Sequence, residues 1–185
     1  MTIIIDNKDG FTYNLYHSLA QIDADTILLF SDQTSLLEKI KELKPSHIVI
    51  NFGLGHLKDV KLAVDIITQL GAQIAVLGIG LGHQLINWAF GGDLALDIKH
   101  GKCSKINLDQ SCPIFKNLPT KINAGNYHSM IIDHLSPKLQ AIAYDDNQKI
   151  MAIKHKQYNI FGLQFCPSSI MTDYGNQILQ NFLEV

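Results

Sequence analysis

Four short runs rich in Ile, Val and Leu, at residues 2–6, 26–31, 47–51 and 74–78, recur through the first half of the chain. Each is too short to be the core of a helix and too uniformly apolar to have one wet face. They therefore read as strands buried on both sides of a parallel sheet. The segments between them have helical period. Residues 12–21 carry Tyr13, Tyr16 and Leu19, or Leu15 and Leu19, at helical spacing. Residues 35–43 stop before Pro45, and residues 57–70 put Leu62, Ile66 and Leu70 in one stripe before Gly71. Strand–helix–strand repetition of this kind predicts parallel neighbours joined by right-handed crossovers.

Beyond residue 90 the apolar stretches shorten, separated by turn signals at Gly91-Gly92, Asp109-Gln110-Ser111, Pro119 and Asp145-Asp146-Asn147. Residues 139–144 and 150–154 predict a hairpin around that last turn, 160–164 a further strand, and 170–183 a closing helix capped by Ser168 or Ser169. No linker or repeat interrupts the chain, and 185 residues with 46% hydrophobic and 17% charged composition suit one core, so residues 1–185 are expected to form a single α/β domain. A net charge of −2 with scattered Lys and Arg offers no basic stripe for nucleic acid. Met1 leads directly into the first strand without a basic and then apolar leader, and no apolar run is long enough to cross a bilayer. A soluble cytoplasmic protein is the expectation, with no membrane partner. Cys103, Cys112 and Cys166 are odd in number and lack metal-ligand spacing, which predicts free thiols rather than a disulfide or a zinc site.

The most informative turn follows residue 78. A strand ends at Gly78, a helix covers 83–90, and Ile79-Gly80-Leu81-Gly82 joins them. Tight strand-to-helix turns of this kind can present one side chain in a strained backbone conformation beside helix N-terminal amides that hold an oxyanion. Here the central residue, Gly80, has no side chain. Taken alone, the glycines are explained by a tight turn, close helix–sheet packing or phosphate binding.

Gly78-Ile79-Gly80-Leu81-Gly82-His83-Gln84 nevertheless resembles the nucleophile elbow of the class I glutamine amidotransferases, with Gly80 where the family has its Cys. The opening Asp6-Asn7-Lys8-Asp9-Gly10-Phe11-Thr12-Tyr13-Asn14-Leu15 resembles the glutaminase subunits of anthranilate and aminodeoxychorismate synthases. His100-Gly101-Lys102 and Tyr127-His128-Ser129 follow in the subgroup's order, and Gly162-Leu163-Gln164-Phe165-Cys166-Pro167-Ser168-Ser169 matches the segment that supplies the family's His and Glu. The His position is Cys166 and the Glu position is Ser168. At Asn51-Phe52-Gly53-Leu54-Gly55 the family's oxyanion loop has prolines that this chain lacks, although Gly53 is kept.

The resemblance implies a single-domain class I amidotransferase (flavodoxin-like) fold: a mostly parallel central sheet flanked by helices, with a small antiparallel hairpin region. It also implies a triad of Cys, His and Glu that is here Gly80, Cys166 and Ser168. Glycine has no group with which to attack a carboxamide, and loss of one member of a triad that works as a unit lowers kcat by as much as roughly six orders of magnitude, ~8 kcal/mol of barrier.

Cys166 would sit close to where the elbow points and is a candidate replacement nucleophile, but the family's base is the residue it replaced, so it reads better as a small side chain filling that space. Gln84 and Ser129, with the backbone of Gly53 and Leu81, stand where the family holds glutamine; helix-start and loop hydrogen bonding is their ordinary alternative. Asp9, Phe11, His100 and Lys102 fall in segments that the resemblance places at or near the synthase contact, or else are solvated surface. His128 and His134 flank Asp133 in a polar stretch where such spacings arise by chance, and neither metal nor cofactor is expected. The reading is a catalytically silent subunit for the large subunit of a chorismate-using synthase, of the tryptophan or the folate branch. Its alternatives are an amide hydrolase that uses Cys166 and a stand-alone binder of a small molecule such as glutamine.

Overall fold

Strand β1 (Thr2–Asp6) lies inside the sheet with Ile3, Ile4 and Ile5 wholly buried, flanked in parallel by β2 (Ile27–Phe30) and β3 (His47–Phe52). The computed structural model describes residues 1–6, 9–52 and 57–185. Next to β3 come β4 (Ala75–Gly80) and β9 (Ile160–Leu163), also parallel. The sheet continues antiparallel through β8 (Ile150–His155), β7 (Leu139–Asp145), β5 (Leu94–Leu108) and β6 (Lys121–Ile132), giving nine strands among the described residues.

Register turns the apolar runs into two faces. The cross-strand row Ile4–Val49–Leu77–Phe161 meets Leu15 and Leu19 of α1 (Thr12–Ala20) and Ile178, Leu179 and Phe182 of α5 (Gly175–Leu183). The adjacent row Ile3–Ile48–Val76–Ile160 lies on the opposite face, under α2 (Leu36–Leu43), α3 (Leu57–Leu70) and α4 (Leu81–Ala89). Side chains alternate along a strand, so both rows can be apolar only if both faces are covered. Burying each Ile or Leu stabilises the fold by about 1.5–3 kcal/mol.

The next row along, Ile5–Ile50–Gly78–Gly162, has two glycines side by side, and α4 sits over them. A Cβ on Gly82 would stand 2.4 Å from the Ile50 carbonyl oxygen, so the first turn of α4 rests directly on the sheet.

The hairpin of β7 and β8 forms as expected, with Asp145 Oδ1 accepting from the backbone amides of Asn147 and Lys149, each at 2.9 Å. Two features differ from the sequence reading. Strands β5 and β6 form a long ribbon, 15 and 12 residues, with register shifts at Leu96/Lys99 and His100/Lys102. Most of β5 is exposed; the alternation of Leu94, Leu96 and Ile98 is a period-two signal that the sequence reading passed over. The closing helix begins at Gly175 rather than 170 and has no side-chain cap. Residues 166–172 instead form turns held by Ser169 N–H to Cys166 O at 3.2 Å and Thr172 Oγ1 to Cys166 O at 2.6 Å. Among the described residues, no helix is long and apolar enough to cross a membrane.

Candidate functional site

The carboxyl ends of parallel strands are where an open α/β sheet leaves a crevice. Here β4 ends at Gly80 beside β9, whose exit leads to Cys166, so the elbow and the 166–169 segment share one end of the sheet. Gly80 has φ +58° and ψ −112°, a conformation that a residue with a Cβ holds only under strain. A Cβ there would meet nothing within 4 Å. The elbow's backbone is therefore built, with open space where a side chain would project.

Around it, the amide of Cys166 donates to the Gly125 carbonyl at 3.1 Å, and its sulfur lies 3.3 Å from Ser168 Oγ. Burial raises the Cys166 thiol pKa, only partly opposed by the Ser168 hydrogen bonds, and the Asp9 carboxylate raises it further. The sulfur is thus held as a neutral thiol, the unreactive form. Nearby His83 supplies no base. It is fully buried, and burial drives its pKa down to about 3, an effect the adjacent Gly162 backbone opposes only in part. Among the described residues, neither of its ring nitrogens has a partner with hydrogen-bond geometry.

The residues matched to glutamine binding are in varied settings. Leu81 opens α4 immediately after the elbow. Gln84 is buried, and its Nε2 donates to Met130 O at 2.6 Å and to Gln164 Oε1 at 3.2 Å, so its donors already serve the fold. Ser129 is partly exposed, with Oγ 3.0 Å from His100 Nε2. Gly53 lies outside the described residues.

Of the segments matched to partner contact, His100 and Lys102 are exposed on β5. Asp9 is tied internally: its Oδ1 accepts from the Phe11 amide at 2.8 Å and from Asn51 Nδ2 at 3.5 Å. Asp6 Oδ1 accepts from the Asp9 amide at 3.0 Å and from the Thr12 hydroxyl, which also accepts from Asn51 Nδ2 at 3.0 Å. The opening motif is therefore a polar clasp across the ends of β1 and β3. His128 and His134 do not converge: His128 Nε2 faces Asp97 at 3.4 Å, while exposed His134 pairs with Asp133 at 3.0 Å.

Reasoning from the sequence missed the cavity beside the 166–169 segment. It measures about 580 Å³ and is lined by Phe11, Tyr127, Ser168, Ser169, Ile170 and Tyr174 among others. The Phe11 and Tyr127 rings pack at 4.6 Å, and the Tyr127 hydroxyl lies 3.1 Å from Ser169 Oγ. Tyr127 stood in a quoted motif, but only the fold brings Phe11 and Ser169 to it.

The family model described as "Glutamine amidotransferase class-I" matches residues 3–185. The chain belongs to the class I glutamine amidotransferases. Among similar proteins of this class, anthranilate synthase component 2 of Pyropia yezoensis is 41% identical, over 100% of this chain and 99% of that one. Aminodeoxychorismate synthase component 2 of Escherichia coli K12 is 35% identical, over 99% of each. The bifunctional protein TrpGD of Thermotoga maritima is 36% identical over 99% of this chain, which spans 32% of that longer protein. Two solved structures share the amidotransferase fold. One, a putative GMP synthase component from Thermoplasma acidophilum, has TM-score 0.88 and 24% identity and covers 100% of this chain and 92% of that one. The other, a glutamine amidotransferase from Thermotoga maritima, has TM-score 0.68 and 13% identity, covering 91% and 76%.

Proposed function

We propose that this amidotransferase chain is a subunit of a chorismate-using synthase that does not itself release ammonia from glutamine. The observation that carries the reading is Gly80: it holds the elbow's backbone conformation with no nucleophile on it. An active elbow of this kind needs a thiol to attack the carboxamide, an imidazole to take and return the proton, and a carboxylate to orient that imidazole. At the two latter positions this chain has Cys166 and Ser168, hydrogen-bonded to each other. The neighbouring imidazole of His83 is buried and neutral, and its strongly lowered pKa makes it a poor proton acceptor at neutral pH.

The synthase assignment rests on relatives named component 2 of anthranilate and aminodeoxychorismate synthases that match this chain end to end. Glutamine remains a candidate ligand through Leu81, Ser129 and Gly53, bound without turnover. The partner then uses free ammonia or ammonia from another glutaminase. The test is glutamate production from glutamine by the purified chain, with and without a synthase large subunit. The expected result is no release above background in either case. Turnover that disappears on Cys166→Ser would overturn this reading in favour of a Cys166-based hydrolase.

A further inference from the structure

A second pocket, of about 370 Å³, opens at the end of the sheet away from the elbow. Helix α4 leaves Gly80 and runs to Ala89, about 13 Å at 1.5 Å per residue, and its C-cap Phe90 forms one wall. His155, at the end of β8, and Tyr158 form another; Tyr158 lies in the loop into β9, where Ile160 pairs with Val76 near the start of β4. Lys138 and Lys156 also line the pocket, and among the described residues no carboxylate does.

The imidazole of His155 is built into this wall. It is only 6% exposed, and its Nδ1 accepts from the backbone amides of Gln157 and Tyr158, each at 3.1 Å. A ring nitrogen that accepts carries no proton, so in the neutral imidazole the proton sits on Nε2. Burial, and after it the charge of Lys138, lower the His155 pKa and keep the ring in that neutral form. Tyr158 stacks on the imidazole at 4.7 Å with 13° between the planes, and Phe90 packs against it at 4.8 Å. Nε2–H is therefore a donor fixed in direction, and among the described residues it has no hydrogen-bond partner.

Two cations stand with it. Lys138 Nζ lies 5.6 Å from the centre of the Phe90 ring, and Lys156 Nζ donates to the Pro137 carbonyl at 2.6 Å, with two donors to spare. Among the described residues neither ammonium is in an ion pair. We propose that this pocket binds a small anion carried on an aromatic ring, the anionic group met by Lys138, Lys156 and His155 Nε2–H and the ring by Tyr158 and Phe90.

Carboxylate and phosphate oxygens accept and do not donate, which suits a lining that offers two ammonium groups and an N–H and holds no acid. A cationic ligand would meet two like charges with nothing to offset them. The ring is called for by the walls: Tyr158 is 41% exposed and Phe90 half-buried, so a flat apolar group laid between them removes aromatic surface from water. The volume falls within the range of roughly 300–1,000 Å³ usual for small-molecule sites. Because the pocket contains none of Gly80, Cys166 and Ser168, the proposal goes beyond the glutaminase-silent reading and does not depend on it.

The test is titration of the full, isotope-labelled chain with phenyl phosphate, benzoate, inorganic phosphate and benzyl alcohol, followed by NMR. Saturating shifts of the Gln157 and Tyr158 amides and of His155 Nε2 are expected with a ring-bearing anion at millimolar concentration, and the preferred one of the two identifies the anionic group. Inorganic phosphate and benzyl alcohol, each with half of the chemistry, should bind at least ~10-fold more weakly. Lys138→Gln with Lys156→Gln should weaken the ring-bearing anion by at least ~10-fold at an unchanged melting temperature, since both side chains are exposed. Shifts that do not saturate, or that map elsewhere, overturn the proposal. So does equal binding of benzyl alcohol or of inorganic phosphate, or undiminished affinity in the double variant. Ammonia release from glutamine bears only on the silent reading and leaves this result untouched.

Discussion

At the scale of single residues, Gly80 decides the most. Its φ of +58° means that Gly80→Cys installs a thiol in strained backbone, while the empty space around the missing Cβ means that it installs one without a clash. The single variant is expected to lose roughly 1–3 kcal/mol of stability, a strain that glycine avoids. It should also show no glutaminase activity, because Cys166 and Ser168 can neither deprotonate the new thiol nor protonate departing ammonia. Adding Cys166→His and Ser168→Glu should restore a detectable fraction, since the elbow and the amide of Leu81 are already in place. Thermal melts and a coupled glutamate assay on the single and triple variants check both parts. Activity in Gly80→Cys alone would mean that a base already stands at the elbow.

At the scale of elements, α4 carries both the elbow and the main acid-sensitive group. Its first turn rests on the glycine row of β4 and β9, which puts His83 against Gly162 at full burial, neutral and, among the described residues, without a well-formed hydrogen bond. Its pKa falls from 6.5 in the unfolded chain to about 3 in the fold, so between those values the unfolded state binds the extra proton. The stability contributed by neutral His83 is therefore complete above about pH 6.5 and is lost progressively toward about pH 3, by as much as a few kcal/mol. His47, His128 and His155 are shifted in the same direction, each chiefly by burial, and add to the slope. Urea midpoints measured at about pH 7 and about pH 4.5 should fall with acid in the wild type and fall less in His83→Phe. An unchanged slope in that variant would remove His83 from the account. The elements built from regular apolar period, β1 to β4 and α1 to α3, were legible in advance within a residue or two. The β5–β6 ribbon was not: the alternation of Leu94, Leu96 and Ile98 is brief, Leu96 and Ile98 point to solvent rather than to the core, and register shifts break the pattern beyond them. The start of α5 was misread because Ser168 and Ser169 looked like caps, whereas their hydroxyls engage Cys166 and Tyr127.

For the whole molecule, the question is which exposed apolar surface meets a partner. Leu96 and Ile98 are 80% and 71% exposed on the same strand as His100 and Lys102, and Ile170 is fully exposed on the cavity wall. Large apolar side chains left in water are a feature of association surfaces. The chain is expected to bind a chorismate-using synthase large subunit through about 800 Å² per partner and to co-elute with it at micromolar concentration. Leu96→Asp with Ile98→Asp should weaken that binding at least ~10-fold while leaving the melting temperature unchanged, because neither side chain is buried in the free chain. Titration calorimetry on wild type and variant, with a thermal melt of each, reads both outcomes. Undiminished binding would move the interface elsewhere, and no binding to any candidate synthase would remove the subunit reading's main support.

The sequence alone determined the parallel half of the sheet, the elbow motif and the absence of a side-chain nucleophile at Gly80, because these depend on local period and on which atoms a side chain possesses. No arrangement of neighbours gives Gly80 a nucleophile. Only the tertiary structure decided the rest: that the elbow keeps its strained backbone, that Gln84 and Asp9 are tied into the fold, and that Ser129 meets His100. Those facts depend on which strands lie side by side and in what register, since one residue's slip selects which side chains face each other.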